Sequence, residues 1–173
     1  MLLRASTPEA TRRIAGAIAG VCRSGDLLVL AGDMGAGKTV FAQGFGAALG
    51  ISEVITSPTF TLVHSYPVPN SRLTLHHADL YRLDSTADVD DLALHELAEF
   101  DGMVLIEWGD IPGADWGDHL EVRLVPDDPP VDGAETLDDF GLGAARTIEL
   151  SGIGRSWAGR WDRLAAALEE HRC

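Results

Sequence analysis

The sequence predicts an α/β fold with a mostly parallel central sheet, added antiparallel strands, and helices on both faces, on three observations. Residues 27–30 form a continuously apolar run, the mark of a strand buried on both sides of a parallel sheet. A glycine-rich turn and an apolar-periodic helix follow it directly, the βα order of open α/β sheets. A second buried run at 103–106 ends in a carboxylate, Glu107, at the strand end where such sheets place ligand sites. At 173 residues and 46% apolar content the chain matches the size of one domain. A chain of that length removes roughly 70% of its unfolded surface from water and needs no disulfide or structural metal. There is no internal repeat and no composition break, so a single domain over 1–173 is expected.

The elements follow in order. Ser6-Thr7-Pro8-Glu9 is a capping-box pattern with proline in the first turn, and Ile14, Ile18 and Val21 then recur at helical spacing. Ser24-Gly25-Asp26 breaks that helix before the buried strand. After the glycine-rich turn a helix is expected over about 38–49, with Phe41, Phe45 and Leu49 inward. Residues 59–66 and 73–78 read as strands joined by the turn-rich Pro67-Val68-Pro69-Asn70-Ser71. An acidic helix is expected over about 89–100, then the strand ending at Glu107. Residues 119–125 and 146–150 read as late strands, separated by a proline-rich acidic surface loop at 126–139. From Ser156 onward, Trp157, Trp161, Leu164 and Leu168 predict an amphipathic closing helix.

Charge narrows the function classes. Thirteen basic residues oppose 27 acidic ones, a net charge of −14. Autonomous nucleic-acid binding depends on basic stripes that release counterions, so this composition disfavours it. Contact with RNA inside a complex is left open. Cys22 and Cys173 form neither a CxxC nor a zinc-type cluster, as expected of a reduced, cytoplasmic protein. No apolar run approaches the ~20 residues that span a bilayer. Arg12-Arg13 before an apolar stretch ending at Cys22 has the outline of an export signal. The stretch is short, however, and fits a helix better.

Chemistry concentrates in Gly32-Asp33-Met34-Gly35-Ala36-Gly37-Lys38-Thr39, which satisfies G-x-x-x-x-G-K-[ST], the phosphate-binding P-loop. Glycines let successive backbone N–H groups of Gly35, Ala36, Gly37, Lys38, Thr39 and Val40 turn toward phosphate oxygens. The helix that follows sets its positive end beneath the same anion. Lys38 is suited to neutralise the β/γ-phosphates and the Thr39 hydroxyl to ligate Mg²⁺. Twelve of the 13 basic residues are arginine, so Lys38 is the one lysine in the chain. A guanine-reading N-K-x-D element would need another.

Glu107 completes a Walker-B-like arrangement, placed to hold Mg²⁺ and to polarise an attacking water. Asp79 closes the 73–78 strand, with a turn-capping carboxylate or a partner for Arg82 as its plainer readings. Alternation puts His77 on the Asp79 face and His76 on the other, so the two histidines cannot share one ion. His77 reads as a packing or hydrogen-bonding residue. Trp108 reads equally as core aromatic or site wall.

The ordered set of the P-loop octapeptide, Ser57-Pro58-Thr59-Phe60-Thr61-Leu62-Val63, His77-Ala78-Asp79-Leu80-Tyr81-Arg82-Leu83 and Ile106-Glu107-Trp108 resembles the bacterial TsaE family over about residues 25–110. Beyond about residue 112 only a late strand with a basic residue, here Arg146, matches. The resemblance implies a P-loop ATPase component of the machinery that makes N6-threonylcarbamoyladenosine in tRNA. It implies ATP in the loop, Mg²⁺ on Thr39 and Glu107, and Ser57-Pro58-Thr59 as a switch-like segment near the γ-phosphate. It also implies roles in hydrolysis for Asp79 and Glu107, with Trp108 beside the magnesium ligand. The implied partner is a TsaB–TsaD-type heterodimer, with tRNA met only through that complex and no DNA or membrane contact. Two readings remain beside it: a small-molecule P-loop kinase, and a nucleotide-gated assembly module that does not depend on hydrolysis. The acidic stretch 84–100 lacks the arginines of a kinase lid.

Overall fold

The computed structural model describes residues 1–83, 85–127 and 145–173. In chain order these form β1 (Leu2–Ala5), α1 (Pro8–Ala19), β2 (Leu27–Ala31), α2 (Lys38–Ala48), β3 (Val63–Pro67) and β4 (Thr74–Asp79). There follow α3 (Thr86–Asp90), α4 (Leu94–Glu99), β5 (Gly102–Glu107), β6 (His119–Pro126), β7 (Arg146–Ile153), α5 (Arg155–Ala158) and α6 (Trp161–Ala167). One seven-stranded sheet runs in the order β1-β7-β6-β2-β5-β4-β3. Its centre, β6-β2-β5-β4, is parallel, whereas β3, β7 and β1 join antiparallel. This is the mixed α/β architecture expected from the sequence.

Alternation along the strands divides the core in two. Leu28, Leu30, Leu75, Met103 and Leu105 face α1, α2 and the C-terminal helices, where Ile14, Ile18, Phe41, Phe45, Trp157 and Leu164 bury against them. Leu27, Val29, Ala78, Val104 and Ile106 face the opposite side with Val89, Leu94, Ala98 and Trp116. β2 is buried at all five positions, as its unbroken apolar run requires. α1 starts as its sequence dictates: the Thr7 hydroxyl accepts from Ala10 N at 3.1 Å and Pro8 opens the helix. α2 lies close on α1 because Gly44 leaves room; a Cβ there would come within 2.4 Å of Arg12 Cα.

Three expectations are corrected and one strand is added. β1 was not foreseen; it gains its place by pairing with β7, far off in sequence. The 59–66 strand shortens to Val63–Pro67, since 58–62 closes into a turn with Leu62 N donating to Pro58 O at 2.7 Å and Leu62 at φ 64°. The 89–100 helix becomes α3 and α4, interrupted at Ala93 (φ 50°). The closing helix likewise divides at Gly159 and Arg160 into α5 and α6. Most of the expected 126–139 loop lies outside the described residues. Among the described residues no helix is long and apolar enough to cross a membrane.

Candidate functional site

Strand register builds the site. Glu107 at the end of β5 pairs with Leu30 of β2 on one side and with Asp79 of β4 on the other. Both carboxylates therefore stand level with the point where β2 runs into the phosphate loop. They border a cleft of about 290 Å³ lined by Gly35, Gly37, Lys38, Thr39, Val40, Ser57, Thr59, Asp79, Tyr81, Glu107 and Trp108, with Met34 at its edge. Of the loop residues 35–40 and the two carboxylates Asp79 and Glu107, Ala36 alone does not line the cleft. It is fully buried behind the loop, and its carbonyl accepts from Arg146 Nη1 at 2.6 Å.

Gly37 has φ 100°, and a Cβ there would lie 1.8 Å from Arg146 Nη1, so the loop needs glycine both for its turn and for this close approach. Lys38 is 4% exposed. Its ammonium donates to Gly32 O at 2.6 Å and Asp33 O at 2.9 Å, and stands 3.5 Å from the centroid of the Trp108 ring. Burial lowers the Lys38 pKa below the ordinary lysine value, while Glu107, Asp110, Asp79 and Asp33 act in the opposite direction. Trp108 is thus a wall of the site, packed in turn on Tyr81 with ring centroids 5.0 Å apart.

Thr39, the second residue of α2, donates its hydroxyl to Glu107 at 3.0 Å (Oε1) and 3.3 Å (Oε2). Glu107 is 3% exposed and also meets His77 Nε2 at 2.9 Å. Asp79 is held from three sides. Its Oδ2 accepts from the Ser57 and Thr59 hydroxyls, the latter at 2.8 Å, and its Oδ1 accepts from Tyr81 N at 3.0 Å. The turn-capping reading of Asp79 is therefore correct as far as it goes. Arg82 goes elsewhere, 4.5 Å above the ring of exposed Phe60.

Sequence reasoning did not reach two of these contacts. His77 was placed on the Asp79 face, but its partner belongs to β5, a neighbour that strand order alone reveals. Arg146 drew notice only as a late basic residue, since nothing local ties it to a loop 110 residues earlier. Chemically, the cleft offers backbone N–H groups, the positive end of α2, one ammonium and two buried carboxylates, each beside a hydroxyl. That set suits a polyphosphate accompanied by a hard cation.

A family model described as "Threonylcarbamoyl adenosine biosynthesis protein TsaE" matches residues 5–129. The chain is 42% identical over 105 residues to the tRNA threonylcarbamoyladenosine biosynthesis protein TsaE of Bacillus subtilis, covering 61% of this chain and 64% of that protein. It therefore spans just under two thirds of that relative's length. To the protein of the same name from Streptomyces coelicolor it is 33% identical over 149 residues, covering 85% of this chain and 93% of that protein. Among solved structures, a crystal structure of Bacillus subtilis YdiB resembles it with a TM-score of 0.61 at 27% identity, covering 98% of this chain and 94% of that one.

Proposed function

The chain belongs to the TsaE family, and on that premise we propose that it is a Mg²⁺-dependent ATPase serving tRNA N6-threonylcarbamoyladenosine formation through a TsaB–TsaD-type heterodimer. The observation that carries this reading is the meeting of Lys38 and Thr39 with Glu107, 68 residues beyond Thr39, at the mouth of one glycine-rich loop. The backbone from Gly35 to Val40 cradles the triphosphate, and Lys38 supplies the compensating charge at its β/γ end.

Thr39 Oγ1 and the Glu107 carboxylate would hold Mg²⁺. Both are hard oxygen donors, and their 3.0 Å spacing matches neighbouring corners of an octahedral Mg²⁺ site, about 2.8–3.0 Å apart. Such an ion takes its remaining ligands from water and phosphate, so one carboxylate suffices. When bound, Mg²⁺ would offset the negative charge of the phosphates. Asp79 fixes the Ser57 and Thr59 hydroxyls in the same cleft, where they orient the attacking water. Trp108 and Tyr81 shield that volume from bulk solvent.

Reconstitution tests the reading: ATP hydrolysis is measured with the protein alone, with the partner pair, and with tRNA added. Stimulation by the partners is expected, with inorganic phosphate as product; transfer of phosphate to a small-molecule acceptor would assign a kinase instead. Lys38→Ala should weaken ATP binding about tenfold or more, the worth of a charged hydrogen bond. Glu107→Ala and Asp79→Ala should retain nucleotide but slow its hydrolysis about 10²-fold. Unchanged phosphate release in both carboxylate variants would remove the assignment.

A further inference from the structure

We propose that His77 is a positioning residue that fixes the Glu107 carboxylate for the cation; this rests on the reading of Glu107 as a Mg²⁺ ligand. His77 has no exposed surface and reaches Glu107 Oε1 with Nε2 at 2.9 Å. A carboxylate only accepts, so Nε2 carries the hydrogen in this contact. Among the described residues Nδ1 has no hydrogen-bond partner. A buried polar atom without a partner costs stability, and an apolar side chain at this packed position would avoid that cost. What the imidazole adds here is therefore the bond at Nε2.

The need for that bond follows from what surrounds Glu107. The Thr39 hydroxyl engages both carboxylate oxygens from α2, while His77 reaches Oε1 from β4 on the neighbouring strand. Lys38, whose ammonium is attracted electrostatically by Glu107, lies in the same cleft. Yet among the described residues the two form no ion pair; Lys38 instead donates to Gly32 O and Asp33 O. His77 holds the carboxylate beside Thr39. That keeps Glu107 available to a cation, with the Lys38 ammonium held on the loop rather than on the carboxylate. Groups behind a metal ligand orient it in this way, and their loss weakens metal binding about 10–100-fold.

Three variants test the role. His77→Gln carries an N–H to the Nε2 position, His77→Asn has the same chemistry but stops short, and His77→Leu keeps volume without a donor. Mn²⁺ binding to the ADP-loaded protein is followed by electron paramagnetic resonance, and ADP affinity is measured separately in EDTA. The expected result is Mn²⁺ affinity about tenfold weaker in the Asn and Leu variants, near wild type in Gln, and ADP affinity in EDTA unchanged in all three. Hydrolysis lost by the Asn variant should return at high Mg²⁺. Wild-type Mn²⁺ affinity in all three variants would overturn the proposal, and so would a Gln variant as impaired as Leu, which would assign His77 to packing. Glu107→Gln with undiminished Mn²⁺ affinity would instead overturn the metal-site reading beneath it.

Discussion

His76 and His77 are one step apart on β4 and serve opposite faces. His76 bonds Ser65 Oγ through Nδ1 at 2.8 Å and is 8% exposed, and burial holds its pKa below the ordinary value of 6.5. The unfolded chain therefore binds a proton at this side chain at a higher pH than the folded chain does. As pH falls from 6.5 toward the folded value, unfolding takes up the extra proton and stability drops; above 6.5 both states are neutral and the contribution vanishes. His76→Asn, which keeps a polar group beside Ser65, should lose less stability than wild type between pH 7.5 and 5.5 in urea unfolding. Equal losses would rule the titration out. At this scale the sequence was informative wherever chemistry is local. The P-loop octapeptide named Lys38 and Thr39, and period-two alternation separated the two histidines. The partner of His77 was hidden because it depends on the register of β4 against β5, which no short stretch of sequence encodes.

Among elements, β2, its loop and α2 were readable because a buried apolar run, three glycines and an apolar helical period lie end to end. The helices that divide were not. Ala93 at φ 50° carries no glycine or proline to announce the break between α3 and α4. At the C-terminus, α5 and α6 meet at Arg160, whose tertiary contacts override the amphipathic period. Its Nη1 and Nη2 grip the Asp26 carboxylate at 2.6 and 2.7 Å, and its guanidinium stacks 4.1 Å from the buried Trp157 ring. The bond to Asp26 raises the Arg160 pKa, so the guanidinium stays charged. Arg160 thereby ties the closing helices to the turn that feeds β2 and, through it, to the phosphate loop. Arg160→Ala strands the Asp26 carboxylate, which is 4% exposed, and should cost about 3 kcal/mol. Calorimetry should then show a melting temperature lower by about 6–12 °C. Replacing both partners together, Asp26→Leu with Arg160→Met, should cost less than the single change. A double variant worse than Arg160→Ala would mean that Arg160 acts by packing on Trp157 instead.

For the whole molecule, charge decides what the protein can hold by itself. The parallel strands bring Asp79 and Glu107 to the one end of the sheet where the phosphate loop lies, and the chain as a whole carries −14. Its one lysine is buried in the cleft, where its ammonium already serves the loop. Several arginines are committed as well: Arg146 to Ala36, Arg160 to Asp26, and Arg4 to Asp127 at 2.6 Å. tRNA is a polyanion whose protein complexes gain affinity from released counterions, so ordinary RNA-binding proteins bind it more tightly as salt is lowered, often by about 10³ or more between 200 and 50 mM. For this protein lowering the salt removes screening between like charges and strengthens repulsion instead. Gel retardation of tRNA by the protein alone should therefore show no complex at physiological salt and none at 50 mM. With the proposed partner pair present, retarded tRNA should appear. A complex with the isolated protein that strengthens as salt is withdrawn would show a local basic face acting against the net charge, and would make this chain a direct reader of RNA.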